Sequence, residues 1–442
     1  MVQLQEATSV IPAMHVIREG ADSDGLRRHG LTVLTTAVFA VGEMAGSGVL
    51  ALPSALKGTG YIGILLNIMC ALVSAYTGVL LGKSWLMVMH RYEEYKEPTR
   101  YPYPAIGQVT FGKPGRLIVS CAINITLFGV AVVFLLLASE NIQSLVKSAG
   151  KDISFCYWLI IVAGALLPIS WLGTPKDFWP IAVGAVAATS IACCVVVANI
   201  VKDGKESDIP AFHPNIDVTG FFMAFGTICF AFGGHPAFPT FQADMKNPEK
   251  FGRAIFISYM IVLLMYLPVA ISGYKVYGIN AKDNILESVS HGPMLYTVQV
   301  LITLHLFCGF IIVVNPVCQD LEELLRIPKQ FNIRRIINRT VMMALVLFVA
   351  ESIPQFGAIL SLIGGSTTTL LAYILPPIFY LKLCSMKGDW DTVTAPLHEK
   401  VACIEIMAIG VVAGIAATYS AVSALAGSSF STPCYINIYT AG

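Results

Sequence analysis

Apolar residues run through this chain in blocks of about 20 to 25, long enough for a helix to cross a hydrocarbon core of ~30 Å, and polar clusters separate the blocks. The blocks fall at residues 32–56, 61–87, 117–140, 156–174, 179–201, 220–242, 253–274, 295–318, 339–353, 356–381 and 401–425. The pattern predicts an all-α integral membrane protein of about 11 transmembrane helices. Residues 1–30 form a cytosolic tail, 31–425 the transmembrane domain and 426–442 a short non-cytosolic tail. Between the second and third blocks, YPYPAIGQVTFGKPGR is dense in Pro and Gly and reads as a loop rather than a helix.

Two blocks are interrupted. The first reads VGEMAGSGVLALP from Val41, with Gly42, Glu43, Gly46 and Gly48 at its centre, and the sixth carries Gly233, Gly234, His235 and Pro236. Glycine loosens a helix and proline removes a backbone donor, so both blocks read as broken helices. They are first and sixth of ten, each opening a group of five. That placement is expected of a 5+5 inverted repeat with its binding site at the midplane, plus one extra helix.

Composition fits this picture: of 442 residues, 56% are hydrophobic and 12% charged. The net charge of +1 hides an asymmetry, because three quarters of the 28 Lys and Arg lie on the side that holds the amino terminus. The positive-inside rule makes that side cytosolic, with Arg326, Lys329, Arg334, Arg335 and Arg339 as its strongest marker. The first 30 residues lack a continuous apolar core and end in Arg27, Arg28 and His29, so insertion is expected to begin with the first span. The distribution offers nothing to a nucleic acid. The eleven cysteines show no zinc-ligand spacing and read as packing residues. Cys156 and Cys434 alone fall clearly on the non-cytosolic side, where a disulfide between them is an open possibility.

At a broken helix the backbone supplies the chemistry. N–H groups starting at Gly46, Ser47 and Gly48 suit a carboxylate, and carbonyls near Val41 and Phe232 suit an ammonium group, so a zwitterion matches both. Glu43, His235 and His305 are ionisable within spans and are candidates for proton coupling; the alternative is a satisfied polar residue holding helices together. Asn124 and Thr126 are either substrate contacts or helix-packing polar groups. Phe230, Phe232 and Phe238 either gate the site or belong to the core, and Ser366 to Thr369 either flex or hydrogen-bond in the tenth span. Glu140 and Glu351 lie near span ends, where solvation or ion pairing is the simpler role. The sequons at Asn124 and Asn338 lie within the membrane and on the cytosolic side, where they go unused.

GSGVLALPSAL, YPYPAIGQVTFGKPGR, FAFGGHPAFPTFQADMKNPEKF and Asn315-Pro316, in that order, resemble the amino acid/auxin permease family over residues 30–425. The resemblance implies a LeuT-type fold and secondary active transport of amino acids. It also implies that Gly46, Ser47 and Gly48 hold the substrate carboxylate while Phe232, Gly233 and Gly234 line the opposite wall. Many members carry an asparagine in the first break, linked to sodium in one branch, whereas this chain has Gly42-Glu43-Met44-Ala45. A proton is therefore the expected coupling ion, sodium is disfavoured, and no cofactor is expected.

The leading expectation is a proton-coupled symporter for small neutral amino acids that works as a monomer in the plasma or an endolysosomal membrane. Two alternatives stand beside it: a sodium-coupled transporter, and a nutrient sensor that binds an amino acid and signals to a cytosolic partner. No nucleophile–base pair or metal-ligand cluster suggests an enzyme.

Overall fold

The computed structural model describes residues 30–96, 99–172, 179–206, 210–328, 330–427 and 433–436. The expected cytosolic tail, Lys329 and most of the tail after residue 427 lie outside these residues. The helices are α1 (Val33–Met44), α2 (Gly48–Thr59), α3 (Ile62–Arg91), α4 (Pro102–Ser148), α5 (Phe155–Leu172), α6 (Trp179–Glu206) and α7 (Val218–Ala231). They continue with α8 (Phe238–Ala243), α9 (Phe251–Tyr277), α10 (Pro293–Leu324), α11 (Ile333–Ser352), α12 (Phe356–Ile363), α13 (Leu375–Ser385) and α14 (Leu397–Ala426).

Among the described residues, eight helices are long and apolar enough to cross a membrane, and nine spans result when α1 and α2, bent by 58°, count as one. The two other expected spans are α7 continued by α8, where α7 is only 14 residues long, and α11, whose apolar character is diluted by Arg334, Arg335 and Arg339. The first and sixth blocks are broken where the glycines fall, at residues 45–47 and 232–237.

Local signals explain the ends. Thr32 and Thr35 form a reciprocal capping box before α1, and Asp217 accepts from the Gly220 N–H at 2.7 Å before α7. The segment read as a loop is instead the start of α4. Pro102 and Pro104 occupy its first turn, where the missing N–H has no helical partner to lose, and Gly112 (φ 68°) makes a kink that Pro114 follows. The Pro and Gly residues thus punctuate two helical pieces rather than dissolve them.

The two broken spans meet along an antiparallel seam. A methyl group on Gly48 would lie 2.7 Å from the Ala231 Cα, and one on Gly58 would overlap the Gly220 backbone, so α2 and α7 touch backbone to backbone at both ends. Residue 31 forms a parallel bridge with Met245: the Leu31 N–H donates to the Asp244 carbonyl at 2.8 Å, and the Lys246 N–H to the Leu31 carbonyl at 2.9 Å. The start of α1 and the end of α8 are therefore held together on the cytosolic side of the expected topology. The tenth span passes from α12 into two π-helical turns, Gly364–Thr368 and Leu370–Ile374, before α13. On the periphery, α14 exposes Leu397, Ile404, Val412, Ile415 and Tyr419.

Cys156 and Cys434 are joined in a disulfide, with their Cα atoms 5.4 Å apart. The Cys434 N–H donates to the Glu351 carbonyl at 2.9 Å and Tyr435 stacks on Phe348, so this short tail lies across the ends of α5 and α11. Arg339, expected as a loop charge, is instead a buried helix residue. Its guanidinium donates to Glu322 (2.7 Å), to Asn315 (2.9 Å) and to the Ser170 carbonyl (2.6 Å), tying α11 to α10 and α5. A charge so far from water is tolerated because each guanidinium nitrogen finds an acceptor and one of the acceptors is a carboxylate.

Candidate functional site

The break between α1 and α2 leaves donors unmet. The N–H groups of Ser47, Gly48 and Val49 have no acceptor among the described residues, as expected for the first turn of a helix without a side-chain cap. The Ser47 hydroxyl is also buried and unpartnered. Across the second break, a methyl group on Gly233 would lie 2.5 Å from Cγ2 of Thr368 in the π-helical segment, and the Thr368 hydroxyl is likewise buried without a partner. Buried polar groups are nearly always hydrogen-bonded, so the orphaned donors and hydroxyls at both breaks are hydrogen-bonding capacity open to a polar ligand.

The opposite helix ends are less open than their sequence suggests. Val41 accepts from the Ala45 N–H at 2.6 Å, and the Phe232 carbonyl accepts from the Tyr259 hydroxyl at 2.9 Å. Tyr266, also on α9, donates to the Met44 carbonyl at 2.6 Å and lies 3.3 Å from the Ala231 carbonyl. The Met44 and Phe232 carbonyls each accept a second bond, from the Gly46 N–H at 2.9 Å and the Gly234 N–H at 3.1 Å, so only Val41 and Ala231 keep a lone pair, and the sequence pattern revealed none of these partners.

Two further walls face Gly46. A methyl group there would lie 3.5 Å from Nε2 of His305 on α10 and 3.7 Å from the ring of Phe134 on α4. Nδ1 of His305 is 3.2 Å from the Thr189 hydroxyl of α6. The structure thus brings His305 to the first break, together with Gly46, Ser47 and, from across the seam, Gly233 and Gly234, whose added methyl would approach Met44 Cγ at 3.0 Å.

His235 is fully buried, its Nε2 3.0 Å from the Thr77 hydroxyl of α3 and its ring against Phe238. Glu43 occupies the last turn of α1, half-buried, beside the break, and Gly42 precedes it. Neither histidine hydrogen-bonds Glu43 among the described residues. Phe238 is fully buried against Phe251 and Tyr259 and belongs to the core.

Asn124 lies elsewhere. Its amide donates to Asp320 and to the Ser120 carbonyl, both at 2.9 Å. It is ten residues from Phe134, about 15 Å along α4 at 1.5 Å per residue, so it packs α4 to the end of α10 rather than facing the break. Thr126 likewise bonds Thr367 at 2.7 Å. Gly48 has a packing reason of its own, the close approach to Ala231, although its N–H still points into the break.

A family model described as transmembrane amino acid transporter protein matches residues 29–420. The chain belongs to this family. The transporter is 27% identical over 394 residues to Amino acid transporter AVT1B of Arabidopsis thaliana, covering 87% of this chain and 69% of that one. It is 26% identical over 403 residues to Amino acid transporter AVT1J, covering 89% and 91%, and 28% identical over 369 residues to Lysine histidine transporter-like 1, covering 78% and 79%, both from the same plant. Its backbone is similar to the crystal structure of a manganese transporter variant from Eremococcus coleocola, with a TM-score of 0.56 at 12% identity over 93% of each chain. At that identity the likeness speaks for the architecture alone. The transporter is an all-α integral membrane protein of LeuT-type fold, in the amino acid/auxin permease family, and its family carries amino acids across membranes.

Proposed function

We propose that this transporter is a proton-coupled symporter of small neutral amino acids that operates by alternating access as a monomer. The observation that carries the reading is the pair of orphaned hydroxyls, Ser47 and Thr368, at the two breaks, beside three unmet N–H groups. The substrate carboxylate takes the Ser47, Gly48 and Val49 N–H groups at the positive end of α2. Its ammonium group takes the remaining lone pairs of the Val41 and Ala231 carbonyls, the second of which Tyr266 holds in place at 3.3 Å. Phe134 and His305 lie so close to Gly46 that only a small side chain fits between them. This binding scheme calls for no metal and no cofactor.

Glu43 is the coupling residue in this reading. A carboxylate beside a substrate site within the membrane is costly when charged, so loading it with a proton lowers the cost of the occluded, substrate-bound state. The amino terminus faces the cytosol, and the face bearing the Cys156–Cys434 disulfide is the extracellular or luminal one, since a disulfide persists in an oxidising compartment. Rocking of α1, α2, α3, α7, α8 and α9 against the other helices exposes the site to either face.

The test is uptake of labelled amino acids by proteoliposomes under an imposed pH gradient, with sodium or potassium outside, for wild type and Glu43→Gln. The proposal expects gradient-driven uptake that ignores sodium and loses its gradient dependence in the variant. Sodium-dependent uptake untouched by the substitution would sink it.

A further inference from the structure

Phe134 of α4 stands between two glycines that belong to different parts of the transporter. One is Gly46, in the break between α1 and α2, where a methyl group would lie 3.7 Å from Cζ and 3.8 Å from Cε1 of the ring. The other is Gly309 of α10, where a methyl group would lie 2.7 Å from Cε2, 3.4 Å from Cδ2 and 3.6 Å from Cζ. Gly46 therefore faces the tip and one edge of the ring, and Gly309 presses on the opposite edge. A methyl at Gly46 makes ordinary contact with the ring, so the space on that side is methyl-sized, whereas a methyl at Gly309 overlaps the ring.

The seam between α4 and α10 is not free to widen and relieve such an overlap. Ten residues before Phe134, Asn124 donates to Asp320 at 2.9 Å, and ten residues after it Ser144 accepts from Gln299 at 2.8 Å. Side-chain hydrogen bonds thus pin the two helices about 15 Å to either side of the ring. The same register sets Leu137 opposite Leu306 in the next layer, and both are fully buried. α4 is also held against α12, where a methyl on Gly129 would lie 2.5 Å from Ile363. With the backbones fixed, the ring of Phe134, at the far end of a rotatable side chain, is the part that yields. Pushed at Cε2, it moves toward its Cε1 edge and so toward Gly46. Ordinary contact at Gly309 requires the 2.7 Å approach to reach 3.4 Å, a shift of about 0.7 Å, and a shift of that size turns the 3.7 Å contact beside Gly46 into an overlap.

We infer that Gly309 is the positioning residue that sets the size limit on the substrate side chain: having no side chain, it lets Phe134 lean back against α10 and leaves a methyl-sized space beside Gly46. Gly309 touches no substrate and acts through the ring. The inference rests on the reading that an amino acid binds at the first break, and it narrows the substrate class by placing glycine and alanine ahead of branched side chains.

The test is a size series of glycine, alanine, valine and leucine, measured in two ways on the full-length protein: as uptake by proteoliposomes, and as the rise in unfolding temperature that each amino acid produces in detergent. One methylene more or less in a packed pocket is worth roughly 10- to 200-fold in discrimination. Gly309→Ala should lower the preference for alanine over glycine by about tenfold or more, chiefly through KM, and Phe134→Leu should raise the acceptance of valine by a similar factor. With both substitutions the protein should return toward the wild-type size order, because leucine leaves the added methyl its room. An unchanged size order in Gly309→Ala would overturn the inference, as would a loss shared equally by all four amino acids. So would a wild type that prefers valine to alanine, or a Phe134→Leu protein that keeps the wild-type size order, and these two results decide the matter even where Gly309→Ala does not fold. Absent uptake, with the expected size order intact in the unfolding shifts, would count against the transport reading alone; no shift with any of the four would sink both.

Discussion

The hydroxyl of Tyr266 donates to the Met44 carbonyl at 2.6 Å and lies 3.3 Å from the Ala231 carbonyl, so one side chain of α9 reaches the ends of both half-helices, α1 and α7. Tyr266→Phe should leave the Ala231 carbonyl without its partner, while the Met44 carbonyl keeps the Gly46 N–H, at a cost of about 1–3 kcal/mol. The expected outcome is a lower unfolding temperature in detergent together with a raised KM for uptake, since the misaligned carbonyls would no longer greet an ammonium group. Tyr259→Phe, which leaves the Phe232 carbonyl to the Gly234 N–H at 3.1 Å, should act in the same direction with a smaller effect.

The glycines of the first break and of the seam should separate by phenotype. A methyl on Gly46 meets nothing nearer than 3.5 Å, whereas a methyl on Gly48 meets Ala231 at 2.7 Å. Gly46→Ala should fold with near-normal stability yet transport poorly, because the methyl occupies space beside His305. Gly48→Ala should lose about 1–3 kcal/mol from overpacking. Thermal unfolding and uptake, measured on the same preparations, distinguish the two; equal loss of stability in both would refute the assignment.

Thr189 fixes His305 at the first break through a 3.2 Å contact with Nδ1. Thr189→Val removes the partner while keeping the shape. With a hydrogen bond contributing about 0.5–1.5 kcal/mol, KM for the transported amino acid should rise by up to about tenfold, with the unfolding temperature little changed. Uptake kinetics with an unchanged KM would show that the ring orientation is set by something else.

Arg339 and Glu322 form a buried pair at 2.7 Å. Arg339→Ala leaves the buried Glu322 carboxylate to the longer Arg335 pair at 3.8 Å and should destabilise by about 3–5 kcal/mol, enough to lower the yield of folded protein. Replacing Arg339 and Glu322 together by leucine should recover a large part of that loss, read as thermal stability and monodispersity.

What could be read in the sequence was what the backbone itself imposes. Runs of apolar residues located the spans, and glycine and proline located the two breaks to within a few residues, because no side-chain partner is needed to disrupt a helix. The same residues misled between Tyr101 and Arg116, where proline in a first turn and one glycine with positive φ start and kink helices instead of ending them. Side-chain roles that depend on a distant partner were not legible. Nothing near Asn124 in sequence announces Asp320, nothing near Met44 announces Tyr266, and Arg339 looked like a solvated loop charge because Glu322 and Asn315 come from another helix. The π-helical turns after Gly364 were hinted at only by the Gly-Gly-Ser-Thr-Thr run, since a widened helix has no distinct periodicity over so short a stretch.

The disulfide between Cys156 and Cys434 turns the chain from α5 to the far side of α14 into a covalent ring, with α1 to α4 outside it. A protease that nicks any single loop inside that ring leaves every fragment attached to every other, while a nick in the loop between α3 and α4 releases α1 to α3 as a separate peptide. On a gel without reductant the first kind of cut should be invisible as a loss of mass, and reductant should reveal it at once.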